Sequence, residues 1–119
     1  MTSVEAAVIA VVRDLFFVAR IRETARLTRV PLVFARTPDE LTARLAERTR
    51  FVMMDLTGGF DYDAMFAAID GAGAPPVLGF TTHASAKQTQ PLHARCRRVV
   101  TKETLTQELP ALLREGVAA

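Results

Sequence analysis

Cysteine and histidine are scarce in this sequence, and their scarcity excludes several kinds of site. Cys96 is the only cysteine among 119 residues, so neither an internal disulfide nor a multi-cysteine metal site can form. We interpret Cys96 as a small buried side chain, because the sequence places no base beside it. The two histidines, His83 and His93, are too isolated to indicate a metal site. A lone thiol favours a reducing compartment, so we expect a cytoplasmic location.

Long apolar runs and glycine-rich phosphate-binding motifs are also missing. The longest apolar run near the start, Ala6 to Val12, is too short to span a bilayer and is closed by Arg13 and Asp14. No basic segment precedes that run, as a secretion signal would require. Neither a Gly-x-Gly-x-x-Gly run nor a Walker lysine motif occurs, so nothing supports a nucleotide-dependent enzyme. We expect neither a membrane partner nor enzymatic activity.

The chain as a whole carries no large excess of positive or negative charge, although some of its segments do. The formal net charge is +2, which is too small to require a nucleic-acid partner. Arginines are concentrated in segments 20–29 and 95–98, whereas no basic residue occurs between Phe51 and Pro75. Such arginine runs are usually solvated faces, so nucleic-acid binding is the least favoured hypothesis.

The stretch from Phe51 to Gly59 organises the rest of the chain. Four apolar residues lead without alternation into Asp55 and then a loop with two glycines, which is typical of a strand buried on both faces. Asp55 would end a central strand, at the sheet edge where open α/β proteins bind ligands. The alternative is that Asp55 only begins a turn or caps the next helix.

Five apolar segments alternate with five segments of helical period. The predicted strands are Ala6 to Val12, Leu32 to Ala35, a third from Phe51, Val77 to Phe80, and Arg98 to Thr101. The predicted helices are Leu15 to Thr28, a second from Thr37 that ends in the polar run Glu47 to Arg50, Asp61 to Ile69, Ser85 to Cys96, and Glu103 to Arg114. Pro91 and Pro110 predict a break, a bend or a late start in the last two helices.

This alternation with short connections predicts an α/β fold. We expect a three-layer, doubly wound, five-stranded parallel sheet in the flavodoxin-like order 2-1-3-4-5, in a single domain over residues 1–119. The ligand crevice of that order lies near strands one and three. It would bring Asp14 and Asp55 together.

The residues at the strand ends resemble those of response-regulator receiver domains, over Ala6 to Arg114. Receivers carry an acidic pair after strand one, a phosphoacceptor aspartate ending strand three, a hydroxyl residue ending strand four and a lysine ending strand five. The matching stretches here are Val12-Arg13-Asp14, Met54-Asp55-Leu56, Pro76-Val77-Leu78-Gly79-Phe80-Thr81 and Val99-Val100-Thr101-Lys102. The resemblance implies that Asp55 accepts a phosphoryl group, that Thr81 and Lys102 bind its oxygens, and that Asp14 and Asp55 hold Mg²⁺.

Three positions depart from the receiver pattern. Arg13 stands where the first acid of the pair is expected, so it would oppose metal entry or pair with Asp55 in place of the metal. Glu103 replaces the proline that usually follows the lysine, which removes the usual cis peptide bond. Val99 replaces the aromatic switch residue, so the usual coupling between threonine and aromatic ring cannot operate.

Two hypotheses follow from the resemblance and its departures. The first is a stand-alone atypical receiver in a two-component phosphorelay, phosphorylated at Asp55 and acting through contact with a kinase or a downstream target. The second is a phosphorylation-independent pseudo-receiver that serves as an interaction module. Phe16 and Phe17 cannot both face one side of a helix, so one of them should be exposed to a partner. The last strand and helices are a candidate surface for a homodimer.

Overall fold

The computed structural model describes residues 5–116, in which five strands alternate with five helices. In chain order these are β1 (Ala7–Val11), α1 (Leu15–Thr28), β2 (Leu32–Phe34), α2 (Pro38–Leu45), β3 (Thr49–Asp55), α3 (Tyr62–Gly71), β4 (Val77–Thr81), α4 (Ala86–His93), β5 (Arg98–Thr101) and α5 (Lys102–Glu115). All strand pairs are parallel, and the strand order is β2-β1-β3-β4-β5. The predicted fold class and strand order are therefore confirmed.

Two apolar cores cover the two faces of this sheet. Alternate residues of β1 point to opposite faces, so Val8 packs in the core beneath α1 and α5, whereas Ile9 packs in the core beneath α2 and α3. The central strand β3 is buried on both faces, and its run from Phe51 to Met54 is at most 1% exposed. This double burial explains why the segment is continuously apolar instead of alternating.

Several helix and strand boundaries differ from the predictions, and α4, for example, ends at His93 instead of Cys96. α2 ends at Leu45, and the polar residues Thr49 and Arg50 begin β3 instead of ending the helix. Arg50 is exposed and donates from Nε to the Ala6 carbonyl at 2.9 Å, so a charged residue is tolerated at the start of this strand. Pro110 neither delays nor interrupts α5, because its ring lies on the exposed side, where water can satisfy the unpaired carbonyl one turn earlier.

Side-chain caps stand at the start of four of the five described helices, α1, α2, α3 and α5. Asp14 caps α1 by accepting a hydrogen bond from the Phe17 amide at 3.1 Å, and Thr37 and Thr101 cap α2 and α5 in the same way. The exception is α4, whose N-cap residue Ser85 makes no side-chain capping bond. This helix therefore lacks a local source of stability that its neighbours have.

The start of α1 places two successive phenylalanines in opposite environments. Phe17 is 8% exposed and packs edge-on against Phe80, whereas Phe16 is 92% exposed. The prediction that one of the two faces solvent is confirmed.

Within residues 5–116, no helix has both the length and the apolar composition needed to cross a bilayer.

Candidate functional site

The carboxyl ends of the parallel strands meet at one edge of the sheet, and this edge holds the predicted site residues. Asp55 ends β3 and pairs in register with Phe80, the residue before Thr81 at the end of β4. Thr81 pairs in turn with Thr101 at the end of β5. Thr101 also caps α5, so no residue separates that strand from the helix and Lys102 is the first helical residue.

Asp55 is almost fully buried, with 3% of its surface exposed. Its Oδ1 accepts hydrogen bonds from the amide and the hydroxyl of Thr57, at 2.8 Å and 2.7 Å. This is the geometry of a carboxylate that starts a turn. The alternative role proposed for Asp55, that of beginning the loop after β3, is thus present in the structure, while Asp61 caps the following helix.

The second carboxylate oxygen of Asp55 has a different environment. Oδ2 makes no hydrogen bond within residues 5–116. It is not completely sealed from solvent, because every fully sealed polar side-chain atom in this part of the chain has a hydrogen-bond partner. Asp55 therefore combines one oxygen that is bonded to the loop with one that has no protein partner and a narrow opening to solvent.

Tyr62 and Thr57 organise this loop, and neither was identified from the sequence. The Tyr62 hydroxyl donates to the Asp55 carbonyl at 2.7 Å and accepts from the Gly58 amide at 3.1 Å. Burial raises the pKa of Tyr62, and the nearby Asp55 charge raises it further by a smaller amount. The phenol therefore keeps its proton and can donate it in a hydrogen bond. The available signal was that the only tyrosine of the chain stands in the first turn of α3.

Arg13 contacts the loop between β3 and α3. Its Nη1 donates to the carbonyl oxygens of Gly58 and Gly59, each at 3.1 Å. Its guanidinium carbon lies 4.4 Å from the centre of the Phe60 ring, a cation–π contact. Across the described chain it forms no ion pair with Asp14 or Asp55.

Asp14 and Lys102 lie on the α1 and α5 side of the edge. Asp14 is exposed and uses Oδ1 to cap α1, as described above. The Lys102 Nζ lies 5.3 Å from the centre of the Phe17 ring, and both residues line an open groove together with Asp14. Among the ion pairs of residues 5–116, none involves Lys102. Its placement at the start of α5 directs it to Phe17 instead of an acidic partner.

Thr81 belongs to a chain of hydrogen bonds that leads into α4. Its hydroxyl, in a residue only 4% exposed, is hydrogen-bonded to the Thr89 hydroxyl at 3.0 Å. The same Thr89 oxygen lies 2.8 Å from Nε2 of His93, one turn further along the helix. Sequence reasoning missed Thr89 and gave His93 only a minor role, although their spacing of four residues places them on one helix face.

The donors at this edge do not fit a divalent cation as they are arranged. Mg²⁺ requires near-octahedral oxygen ligands, and the carboxylates here are Asp14 and Asp55, each with one oxygen already bonded to its own chain. The loop carbonyls of Gly58 and Gly59 are bonded to the Arg13 cation. Among the residues described, no group of three or more histidine, cysteine or acidic side chains could hold a metal ion.

Cys96 packs beneath the sheet edge and carries no sign of reactivity. Burial raises the pKa of its thiol to about 11, so the thiol stays protonated at neutral pH. Its sulfur lies 3.5 Å from the Leu92 carbonyl, and a Cβ added at Gly79 would come within 2.9 Å of it. Cys96 is half-buried instead of fully buried as expected from the sequence, and its contacts are those of a packing residue.

Comparisons with known proteins find structural likeness without sequence likeness. No family model matches the sequence, and no curated protein matches it either. The receiver domain of a sensor histidine kinase from Pseudomonas aeruginosa PAO1 superposes with a TM-score of 0.76 at 14% identity, over 98% of this chain and 100% of that one. That structure holds a magnesium ion in its active-site cleft. A chemotaxis response regulator of Vibrio cholerae gives 0.69 at 20% identity, over 92% and 100%.

One of the structures with a similar fold is a designed protein. A de novo Rossmann 2x3 fold protein superposes with a TM-score of 0.67 at 14% identity, over 96% of this chain and 94% of the designed one. A similar backbone therefore does not by itself bring a function with it. At these identities the comparisons show the architecture, and the chain has the fold of response-regulator receiver domains.

Proposed function

We propose that this chain is a receiver-type signalling protein that acts through contact with another protein, with neither phosphorylation of Asp55 nor Mg²⁺. It is proposed to be a binding module and not an enzyme. The receiver fold supports the signalling role. The observation that carries the rest is the position of Arg13, whose guanidinium bonds to the Gly58 and Gly59 carbonyls.

Arg13 supplies a permanent positive charge between two loops. It starts in the connection after β1 and ends on the loop after β3, so it joins the two segments that flank Asp55. A guanidinium keeps its charge at every physiological pH and offers several donors in a fixed plane. The Arg13 guanidinium can therefore hold the loop after β3 in place without a bound metal ion.

The surroundings of Asp55 supply little of what phosphoryl transfer needs. Such transfer depends on positioning and on cations that neutralise the charge of the phosphoryl oxygens. The Lys102 Nζ packs over Phe17, and the Arg13 guanidinium is committed to backbone carbonyls. The Thr81 hydroxyl is bonded to Thr89. Each group that the receiver resemblance assigns to the phosphoryl oxygens thus has another partner.

Beryllofluoride, which mimics a phosphoryl group on a carboxylate, provides the test. We expect no binding to the full chain with or without Mg²⁺, and no gain of a phosphoryl mass after incubation with acetyl phosphate. The Asp55→Asn variant is the matched control and should behave identically. Stoichiometric, Mg²⁺-dependent uptake that Asp55→Asn abolishes would reject the proposal.

The Oδ2 oxygen of Asp55 favours a second candidate function. Because this oxygen has a narrow opening to solvent, it could attack a phosphoryl donor and make Asp55 the phosphoacceptor of a phosphorelay. Arg13 would have to release the loop carbonyls before Asp14 and Asp55, with waters, could hold Mg²⁺. Thr81 and Lys102 would likewise have to leave their present partners to bind phosphoryl oxygens. A kinase would be the upstream partner.

The partner in the first proposal is a protein. Several arginines that could contact nucleic acid are already engaged with acids: Arg95 lies 3.4 Å from Asp63, and Arg98 lies 4.0 Å from Glu108. Arg26 pairs with Glu23 within α1, which further lowers the free positive charge. A second copy of this chain is one protein partner to be tested, by sedimentation velocity over a range of protein concentrations.

A further inference from the structure

Helix α4 is attached to the sheet in a different way from the other helices. α1, α2, α3 and α5 each bury at least two apolar side chains, whereas the only fully buried residue of α4 is Thr89. The helix also contains Pro91 and lacks a side-chain cap at its start. Few apolar contacts and no cap are the features of a segment with low local stability.

The buried contact of α4 is a hydrogen-bonded chain of three side chains. Thr81 and Thr89 are 4% and 5% exposed, and with Asp55 they are the buried polar residues of the described chain. The Thr89 hydroxyl lies 3.0 Å from the Thr81 hydroxyl and 2.8 Å from Nε2 of His93. The Thr89 hydroxyl also lies 3.3 Å from the Ala86 carbonyl of its own helix, and the half-buried Leu92 packs against the core below α2 and α3. The bond from Thr89 to Thr81 is nevertheless the polar contact that ties the buried side of α4 to β4, and one such bond contributes about 1 kcal/mol.

The direction of these hydrogen bonds depends on the His93 ring. Thr89 has one hydroxyl proton, and its possible acceptors include the Thr81 hydroxyl and the His93 Nε2. If Nε2 carries no proton, Thr89 donates to His93 and can accept from Thr81. If Nε2 carries the proton, His93 donates to Thr89, and Thr89 can donate to Thr81. Backbone carbonyls compete for the same protons, since Thr82 O lies 3.5 Å from the Thr81 hydroxyl and Ala86 O lies 3.3 Å from the Thr89 hydroxyl. The His93 ring therefore biases the hydrogen bond that Thr81 makes at the sheet edge, from two side chains away.

We propose that Thr81, Thr89 and His93 form a relay that couples the position of α4 to the sheet edge beside Asp55. Thr81 follows Phe80, which is paired in register with Asp55, so one end of the relay lies at the candidate site. The other end is the partly exposed His93, which a binding partner can reach. The relay requires neither phosphorylation nor a metal ion.

Nuclear magnetic resonance of the full chain tests the relay. We expect Thr81→Val to shift the His93 ring nitrogen signals and to increase amide exchange in α4 about fivefold, the effect of losing one hydrogen bond. Thr81→Ser, which keeps the hydroxyl, should retain the wild-type signals. Thr24→Val is the matched control, because the Thr24 hydroxyl bonds to a carbonyl of its own helix, α1, at 2.8 Å.

Thr89 decides between a relay and two independent effects. In a Thr89→Val background, the further change Thr81→Val should leave the His93 ring signals where Thr89→Val alone puts them. An equal shift with and without the Thr89 hydroxyl would overturn the proposal, and so would unchanged His93 signals in Thr81→Val. Circular dichroism of each variant verifies that the fold is intact. None of these outcomes depends on beryllofluoride uptake, so the relay and the proposed function can fail separately.

Discussion

The guanidinium of Arg13 donates to the Gly58 carbonyl, 45 residues further along the chain, at 3.1 Å. The same nitrogen also donates to Gly59, so one side chain joins the connection after β1 to the loop after β3. The guanidinium is therefore a cation, supplied by the protein itself, that bridges these two loops.

Replacing Arg13 by aspartate should convert the edge into a metal site. Arg13→Asp adds a carboxylate beside Asp14 and releases the Gly58 and Gly59 carbonyls, which together supply the oxygen ligands that Mg²⁺ prefers. We expect this variant to gain Mg²⁺-dependent beryllofluoride binding, measured by fluorine resonance. Arg13→Gln, which loses the cation without adding a carboxylate, is the control and should gain none. Equal binding by both variants would disprove this role of Arg13.

Truncating Phe16 or Phe17 to alanine should have very different effects on stability. Phe17 is 8% exposed, and its ring centre lies 5.1 Å from that of Phe80, so Phe17→Ala should lower the free energy of unfolding by about 3 kcal/mol or more. Phe16 is 92% exposed, and Phe16→Ala should change it by less than about 0.5 kcal/mol. Denaturant titration measures both values, and similar losses for the two variants would contradict the described start of α1.

A side chain at Gly79 should destabilise the protein, because the Cys96 and Leu56 side chains pack closely against β4 at this residue. A Cβ at Gly79 would lie 2.9 Å from the Cys96 sulfur and 3.0 Å from Leu56 Cδ1, so Gly79→Ala should cost about 1–3 kcal/mol. Gly71→Ala is the control, since nothing lies within 4 Å of a Cβ at the last residue of α3. We expect it to be neutral or stabilising by up to about 1 kcal/mol. Thermal unfolding of the two variants distinguishes a packing effect from a general effect of removing glycine.

The Cys96 thiol should be slow to react in the folded protein. Burial raises its pKa from 9.0 to about 11, and only the thiolate is alkylated. At pH 8 we expect iodoacetamide to react on the order of a hundredfold more slowly than with the unfolded chain. The unfolded thiol ionises first, so its contribution to stability is complete below pH 9.0 and falls as the pH rises toward about 11. Equal alkylation rates in the two states would refute the buried thiol.

The sequence determined the features that depend on near neighbours along the chain. The continuous apolar run from Phe51 indicated a doubly buried central strand, and Asp14 indicated the start of α1, because burial patterns and caps span only a few residues. The strand order followed from the alternation of strands and helices together with the right-handedness of crossovers. It also followed that Asp55 and Thr81 would end adjacent strands.

Only the tertiary structure decided where the side chains at that edge point. Arg13 reaches a loop 45 residues away, and Lys102 turns to Phe17 because Thr101 ends β5 and caps α5 without an intervening residue. The hydrogen bond between the Thr89 and Thr81 hydroxyls likewise requires that α4 lie against β4. A side chain of several rotatable bonds takes its direction from partners that folding brings near, and local sequence carries no record of those partners.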